Sequence, residues 1–146
     1  KMEVVVDGLI KKNKDLRVVF KEFPIFGKDS ELASKVAMAA AMQGKYLNLQ
    51  NALFKSKGRL NEKKIMDIAK EAGLNMEKLN TDLNSDKIVQ TLKANRQLAE
   101  NIHLMGTPAF VVLATPNGKL KANSDPAFIP GAASEQSLQE LINKAK

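Results

Sequence analysis

Apolar and polar positions along the chain divide it into two kinds of segment. Met2, Val5, Val6, Leu9 and Ile10 recur at the spacing of one helical face. Lys11 and Lys12 follow where a helix dipole favours cations, and Asn13-Lys14-Asp15 reads as a turn. No capping residue precedes Met2, so this helix is expected to begin very near or before Lys1. Leu16 to Phe23 is short and rich in Val and Phe, and Pro24 stops it. It predicts a largely buried strand, with Pro24-Ile25-Phe26-Gly27 leading away as a loop.

From Asp29 to His103 the period is helical throughout. Asp29 or Ser30 is the expected cap of a helix carrying Leu32, Val36, Ala39 and Ala40, ended by Gly44. A second helix runs from about Lys45 with Leu49, Leu53 and Phe54, and Gly58 breaks it. A third carries Ile65, Ile68, Ala69 and Ala72 before Gly73. Asn75 caps a short fourth with Met76, Leu79 and Leu83. Asp86 is the expected cap of a fifth with Ile88, Val89, Leu92, Ala99 and Ile102, and Gly106 closes the block.

Then the pattern changes. Ala109 to Ala114 is an apolar β-type run, followed by the turn signal Pro116-Asn117-Gly118 and a loop at Asn123-Ser124-Asp125-Pro126. Ala127-Phe128-Ile129 predicts a second short strand, ended by Pro130-Gly131. A last helix starts at Ser134, with Leu138, Leu141, Ile142 and Ala145 on one face. Neither strand group can bury its faces alone, so the strands are expected to share one sheet.

Composition narrows the chemistry. The 146 residues contain 44% hydrophobic and 27% charged residues, enough for one domain with a core. Lys and Arg outnumber Asp and Glu by 23 to 16. The group Lys11, Lys12, Lys14 and Arg17 has no interleaved aromatics, so a solvated basic face is favoured over nucleic-acid binding. There is no cysteine and one histidine, His103. Disulfides and thiolate zinc sites within these residues are therefore excluded. His103 reads as a surface or helix-end residue. Met38 and Met66 read as core, while Met42, Met76 and Met105 are open to an adaptable apolar groove. Lys21-Glu22 could place a charge near a functional site, but a strand edge is favoured. Gly106-Thr107-Pro108 stands between a long helix and a strand, where proline's missing N–H does no harm. On the residues alone a trans turn is favoured there, because only ~5–6% of X–Pro bonds in folded proteins are cis.

Four pieces, taken together, carry a resemblance. They are Val-Val-Phe-Lys-Glu-Phe-Pro-Ile-Phe-Gly at 18–27, the alanine-rich helix after it, Gly-Thr-Pro-Ala-Phe at 106–110 and Phe-Ile-Pro-Gly at 128–131. In this order they resemble the DsbA-like thiol–disulfide oxidoreductase family, over essentially the whole chain. The resemblance implies an α/β, thioredoxin-like fold with an inserted helical domain, the N-terminal strand or strands lying outside these residues. The thioredoxin-like part would be residues 1–28 and 104–146, and the insertion 29–103. It implies that Pro108 is a cis-proline, with Gly106, Thr107 and Pro108 forming a substrate-binding loop. The redox Cys-x-x-Cys is expected just before Lys1, so the complete protein would be the enzyme and this chain alone inactive.

No metal or organic cofactor is implied. The implied partners are unfolded, cysteine-containing polypeptides and a redox partner protein, with no nucleic acid and with an oligomer possible. The implied location is the periplasm or cell envelope, and the activity could be oxidation, isomerisation or reduction. The alternative is a cysteine-free thioredoxin-like module that binds peptides as a chaperone. One topological expectation follows. In such a sheet, the strand before the active-site helix separates Leu16–Phe23 from Ala109–Ala114. Val18–Glu22 and Phe110–Leu113 are then expected not to pair directly, and a strand from outside this numbering is expected between them.

Overall fold

The computed structural model describes residues 2–146. It contains seven α-helices and two strands among them: α1 (Met2–Lys12), α2 (Lys28–Met42), α3 (Tyr46–Lys55), α4 (Glu62–Glu71), α5 (Met76–Asp82), α6 (Asp86–Asn101), β1 (Phe110–Val112), β2 (Ala127–Ile129) and α7 (Glu135–Ala145). They form two compact units. One comprises the chain up to Phe20 with His103–Lys146; the other is Lys21–Ile102.

In the first unit β1 and β2 pair antiparallel, with Phe110 opposite Ile129, Val111 opposite Phe128 and Val112 opposite Ala127. Alternation along a strand sends neighbouring side chains to opposite faces. Phe110, Val112 and Ile129 accordingly pack with Leu9 of α1 and with Leu138 and Ile142 of α7. Val111 and Phe128 remain exposed. Ser134 caps α7, its hydroxyl accepting from the Ser137 N–H at 3.0 Å. Asn13 joins α1 to α7: its Nδ2 donates to Gln139 Oε1 at 2.7 Å and its Oδ1 accepts from Gln139 Nε2 at 2.9 Å.

The second unit is built around α2. Ala37, Ala39 and Ala40 are buried on it, and such small side chains let neighbouring helices approach closely. Leu49 of α3, Ile65 of α4, Leu79 of α5 and Ile88 of α6 fill the space beside them. α4 ends in a Schellman arrangement: the Leu74 N–H reaches the Ala69 carbonyl (3.1 Å) and the Gly73 N–H reaches Lys70 (3.0 Å). Gly73 has φ +83°, a conformation that costs glycine nothing. Leu74, one residue on, is buried. Asn61 and Asn75 cap α4 and α5, each side chain accepting from a backbone N–H at 2.9 Å.

Several expectations need correction. Leu16–Phe23 forms no strand: residues 16–23 run as irregular chain, without a ladder partner among the described residues. β-type residues favour extended chain, but a strand also needs a hydrogen-bonded neighbour. Val19 is accordingly 64% exposed rather than buried. The expectation that residues 18–22 and β1 do not pair directly holds: among the described residues no ladder joins them, and the partner of β1 is β2. β1 itself spans three residues, not the six of Ala109–Ala114.

Two caps shift by one to three residues. α2 starts after Gly27 and α6 after Ser85, neither with a side-chain cap bond. Asp29 and Asp86 lie inside the first turns, where their charge still complements the dipole. Ile10, Phe54 and Val89 match their helical patterns but point outward. An apolar face wider than the helix's contact leaves its flank in solvent.

α6 ends without a glycine. His103, the residue after its C-cap, takes φ +55°. A left-handed conformation at a non-glycine residue costs roughly 1–2 kcal/mol. His103→Gly is therefore expected to raise stability by roughly 1 kcal/mol, read as an increase in the urea midpoint. A fall in the midpoint would mean that the imidazole makes contacts outweighing its backbone strain.

Candidate functional site

The chain leaves α6 at His103 and reaches β1 through Leu104-Met105-Gly106-Thr107-Pro108-Ala109. The Thr107–Pro108 peptide bond is cis. Thr107 and Pro108 are both exposed, and Gly106 is half-buried. A Cβ at Gly106 would meet nothing within 4 Å, so there is open space on that side of the loop. Met105 is 92% exposed beside it. The loop thus presents backbone and an apolar thioether at the entrance of a strand. It holds no thiol: the chain has no cysteine, and His103 is exposed at its first residue. Such an arrangement can bind an extended polypeptide through main-chain hydrogen bonds but supplies no reactive group.

The other methionines are placed elsewhere. Met38, Met66 and Met76 pack against the helical core, and Met42 sits at its edge. Met105 directly precedes the Gly106-Thr107-Pro108 turn in the chain.

The family model for the DSBA-like thioredoxin domain matches residues 1–143. The chain belongs to this family. Among solved structures, a thioredoxin-like oxidoreductase from Silicibacter pomeroyi DSS-3 is similar at 31% identity and a TM-score of 0.85, over 98% of this chain and 76% of that one. BcfH of Salmonella enterica Typhimurium is 34% identical with a TM-score of 0.78, over 99% of this chain and 63% of that one. The thiol-disulfide exchange protein alpha-DsbA2 from Wolbachia pipientis shares the fold, with a TM-score of 0.81 at 24% identity over 99% of this chain and 73% of that one. No curated protein matches the chain. The fold is therefore thioredoxin-like with a helical insertion, and disulfide oxidoreduction is the family-level function. No described helix is long and apolar enough to cross a membrane.

A second cluster escaped the sequence reading, which took Glu22 as a strand edge. Its carboxylate accepts from the Ser34 hydroxyl (2.8 Å), the Tyr46 hydroxyl (2.5 Å) and Gln50 Nε2 (3.0 Å). Its carbonyl accepts from Asn95 Nδ2 at 2.9 Å. The Glu22 backbone and side chain are thus tied to α2, α3 and α6 within one unit. Partners 12 to 73 residues away leave no local mark in a sequence. One signal was available: Asn95 is a polar residue on the buried stripe Ile88-Leu92-Asn95-Ala99.

Burial first, and then the adjacent Glu22 charge, holds the Tyr46 phenol well above its ordinary value. A phenol whose folded pKa is raised stabilises the fold below the unfolded pKa of about 10, and that contribution is lost as pH climbs above it. Tyr46 is the only tyrosine, so tyrosinate absorbance reports it alone. The folded chain is expected to show no tyrosinate near pH 10, where a free phenol is half ionised. The signal should rise only together with loss of helical circular dichroism. An ordinary titration in the folded state would disprove the Glu22–Tyr46 contact.

Proposed function

We propose that these residues form the substrate-facing part of a protein thiol–disulfide oxidoreductase or isomerase that acts on exported, cysteine-containing polypeptides in the periplasm or cell envelope. The observation that carries this is the exposed Gly106-Thr107-Pro108 turn leading into β1 in a chain of the DSBA-like family. Gly106, Thr107 and Pro108 take the role of the substrate-binding loop, holding the backbone of an extended polypeptide beside the redox centre. A redox partner protein resets the dithiol or disulfide after each turnover.

The exchange itself needs a thiolate. It attacks one sulfur of a disulfide, forms a mixed disulfide and expels the other sulfur as thiolate. No residue of this chain can do that, so the reading requires two cysteines from outside the 146 residues, placed by the family resemblance immediately ahead of α1. A helix N-terminus favours the negative charge of a thiolate. The strand expected between residues 18–22 and β1 comes, in this reading, from the same source. The functional division is 1–28 with 104–146 around an insertion at 29–103.

The absence of cysteine favours a second reading, a peptide-holding chaperone that uses the same loop without redox chemistry. Insulin reduction and refolding of a reduced disulfide protein, run with and without a Cys-x-x-Cys segment, separate the two.

A further inference from the structure

The outer stripe of α3 and the loop after it play no part in the reading above. Residues of an α-helix turn by about 100° each. Leu47, Asn51 and Phe54 therefore share one narrow arc, with Lys55 and Asn48 on its flank, and all five are exposed. Phe54 is 61% exposed and Leu47 52%. The opposite arc, with Leu49 and Leu53, belongs to the helical core and its immediate packing.

The chain continues as Lys55-Ser56-Lys57-Gly58-Arg59-Leu60-Asn61-Glu62-Lys63-Lys64, five cations against one carboxylate. Lys55, Lys57, Arg59 and Lys63 are exposed. Two carboxylates from elsewhere approach: Asp67 pairs with Lys63 at 2.7 Å, and Asp29 lies 3.9 Å from Arg59. Lys64 Nζ donates to the Lys57 carbonyl. Even with both carboxylates counted, cations remain in excess, in the segment that follows α3 and its two large exposed apolar side chains.

We propose that this face docks on the surface of an anionic phospholipid bilayer. Charge complementarity gives the sign of the partner, and the apolar stripe gives its kind. Phe54 and Leu47 project from a convex helix surface, whereas a recognised peptide is seated in a groove or on a sheet edge. Lysines on flexible stems suit the smeared charge of lipid headgroups. Large apolar side chains flanked by Lys and Arg are the pattern of an interfacial contact, in which the apolar groups enter the headgroup boundary and the cations stay with the phosphates. The proposal is independent of the redox reading, since it uses no residue of the Gly106-Thr107-Pro108 loop.

The test is co-sedimentation of the 146-residue chain with vesicles of pure phosphatidylcholine and of an equimolar phosphatidylglycerol–phosphatidylcholine mixture. Binding to the anionic vesicles alone is expected, weakening as salt rises. Each cation near such a surface is worth roughly fivefold in partitioning, so Lys57→Gln with Arg59→Gln should lower it on the order of 25-fold. Phe54→Ser should lower it severalfold at unchanged charge. Lys14→Gln with Arg17→Gln removes the same net charge elsewhere and should leave it nearly unchanged. All these positions are exposed or half-buried, and unchanged circular dichroism would confirm folding. Absence of binding to anionic vesicles at low salt overturns the proposal, as does an equal loss in the Lys14/Arg17 control. If polyglutamate displaces the chain and Phe54→Ser has no effect, the face takes an acidic polypeptide and the bilayer proposal fails.

Discussion

The 146-residue chain is expected to give background rates in insulin reduction and in refolding of a reduced disulfide protein. The same chain preceded by a strand and a Cys-x-x-Cys segment at the start of α1 is expected to turn over. The difference is chemical rather than conformational. Disulfide exchange begins with a thiolate, and the sulfur atoms here are methionine thioethers, which have no proton to lose. The extension adds a thiolate at the N-terminal end of α1, where unsatisfied N–H groups and the helix dipole favour negative charge. Turnover by the cysteine-free chain would contradict the thiolate mechanism outright. Inactivity of both versions, with suppression of aggregation by each, would move the assignment to the chaperone reading.

How much of this could be read from the sequence depends on how local each feature is. Helices are set by contacts three and four residues apart, so the stripes Val36-Ala39-Ala40, Ile65-Ile68-Ala69 and Leu138-Ile142 were legible, and all are buried. Schellman stops at Gly44 and Gly73 were legible because few residues other than glycine adopt a positive φ there. The stop at His103 was not, since nothing in its local pattern demands a left-handed histidine.

A strand, by contrast, is a relation between distant segments. Residues 16–23 have the composition of one, yet whether they form it is decided by a neighbour that composition does not reveal. The same holds for the site. Gly106-Thr107-Pro108 was noticed as a triplet, but its meaning came from the ordered resemblance along the chain. Glu22 was passed over because its four hydrogen-bond partners lie on three different helices.

Two leucines two residues apart in α3 should differ widely in what they contribute. Leu49→Ala is expected to destabilise the fold by about 3–4 kcal/mol, and Leu47→Ala by less than about 0.5 kcal/mol. Leu49 has no exposed surface, whereas Leu47 is 52% exposed on the opposite arc. Truncating a buried leucine costs ~2–5 kcal/mol, and the value depends on how far the surroundings collapse into the gap. Here collapse is partial. Leu49 belongs to one core with Ala37, Ala39 and Ala40 of α2, whose side chains are too short to swing into a cavity, and with Ile65, which is branched at Cβ and stiff, while Met38 and Met66 pack against the same core and can fill part of a gap. A value near the middle of the range follows. A small domain has only ~5–15 kcal/mol in total, so Leu49→Ala should move the urea midpoint far while leaving the slope of the transition unchanged. Equal midpoints for the two variants would mean that α3 presents a different face to α2 and α4. That result would also remove Phe54 from the exposed stripe on which the bilayer proposal rests.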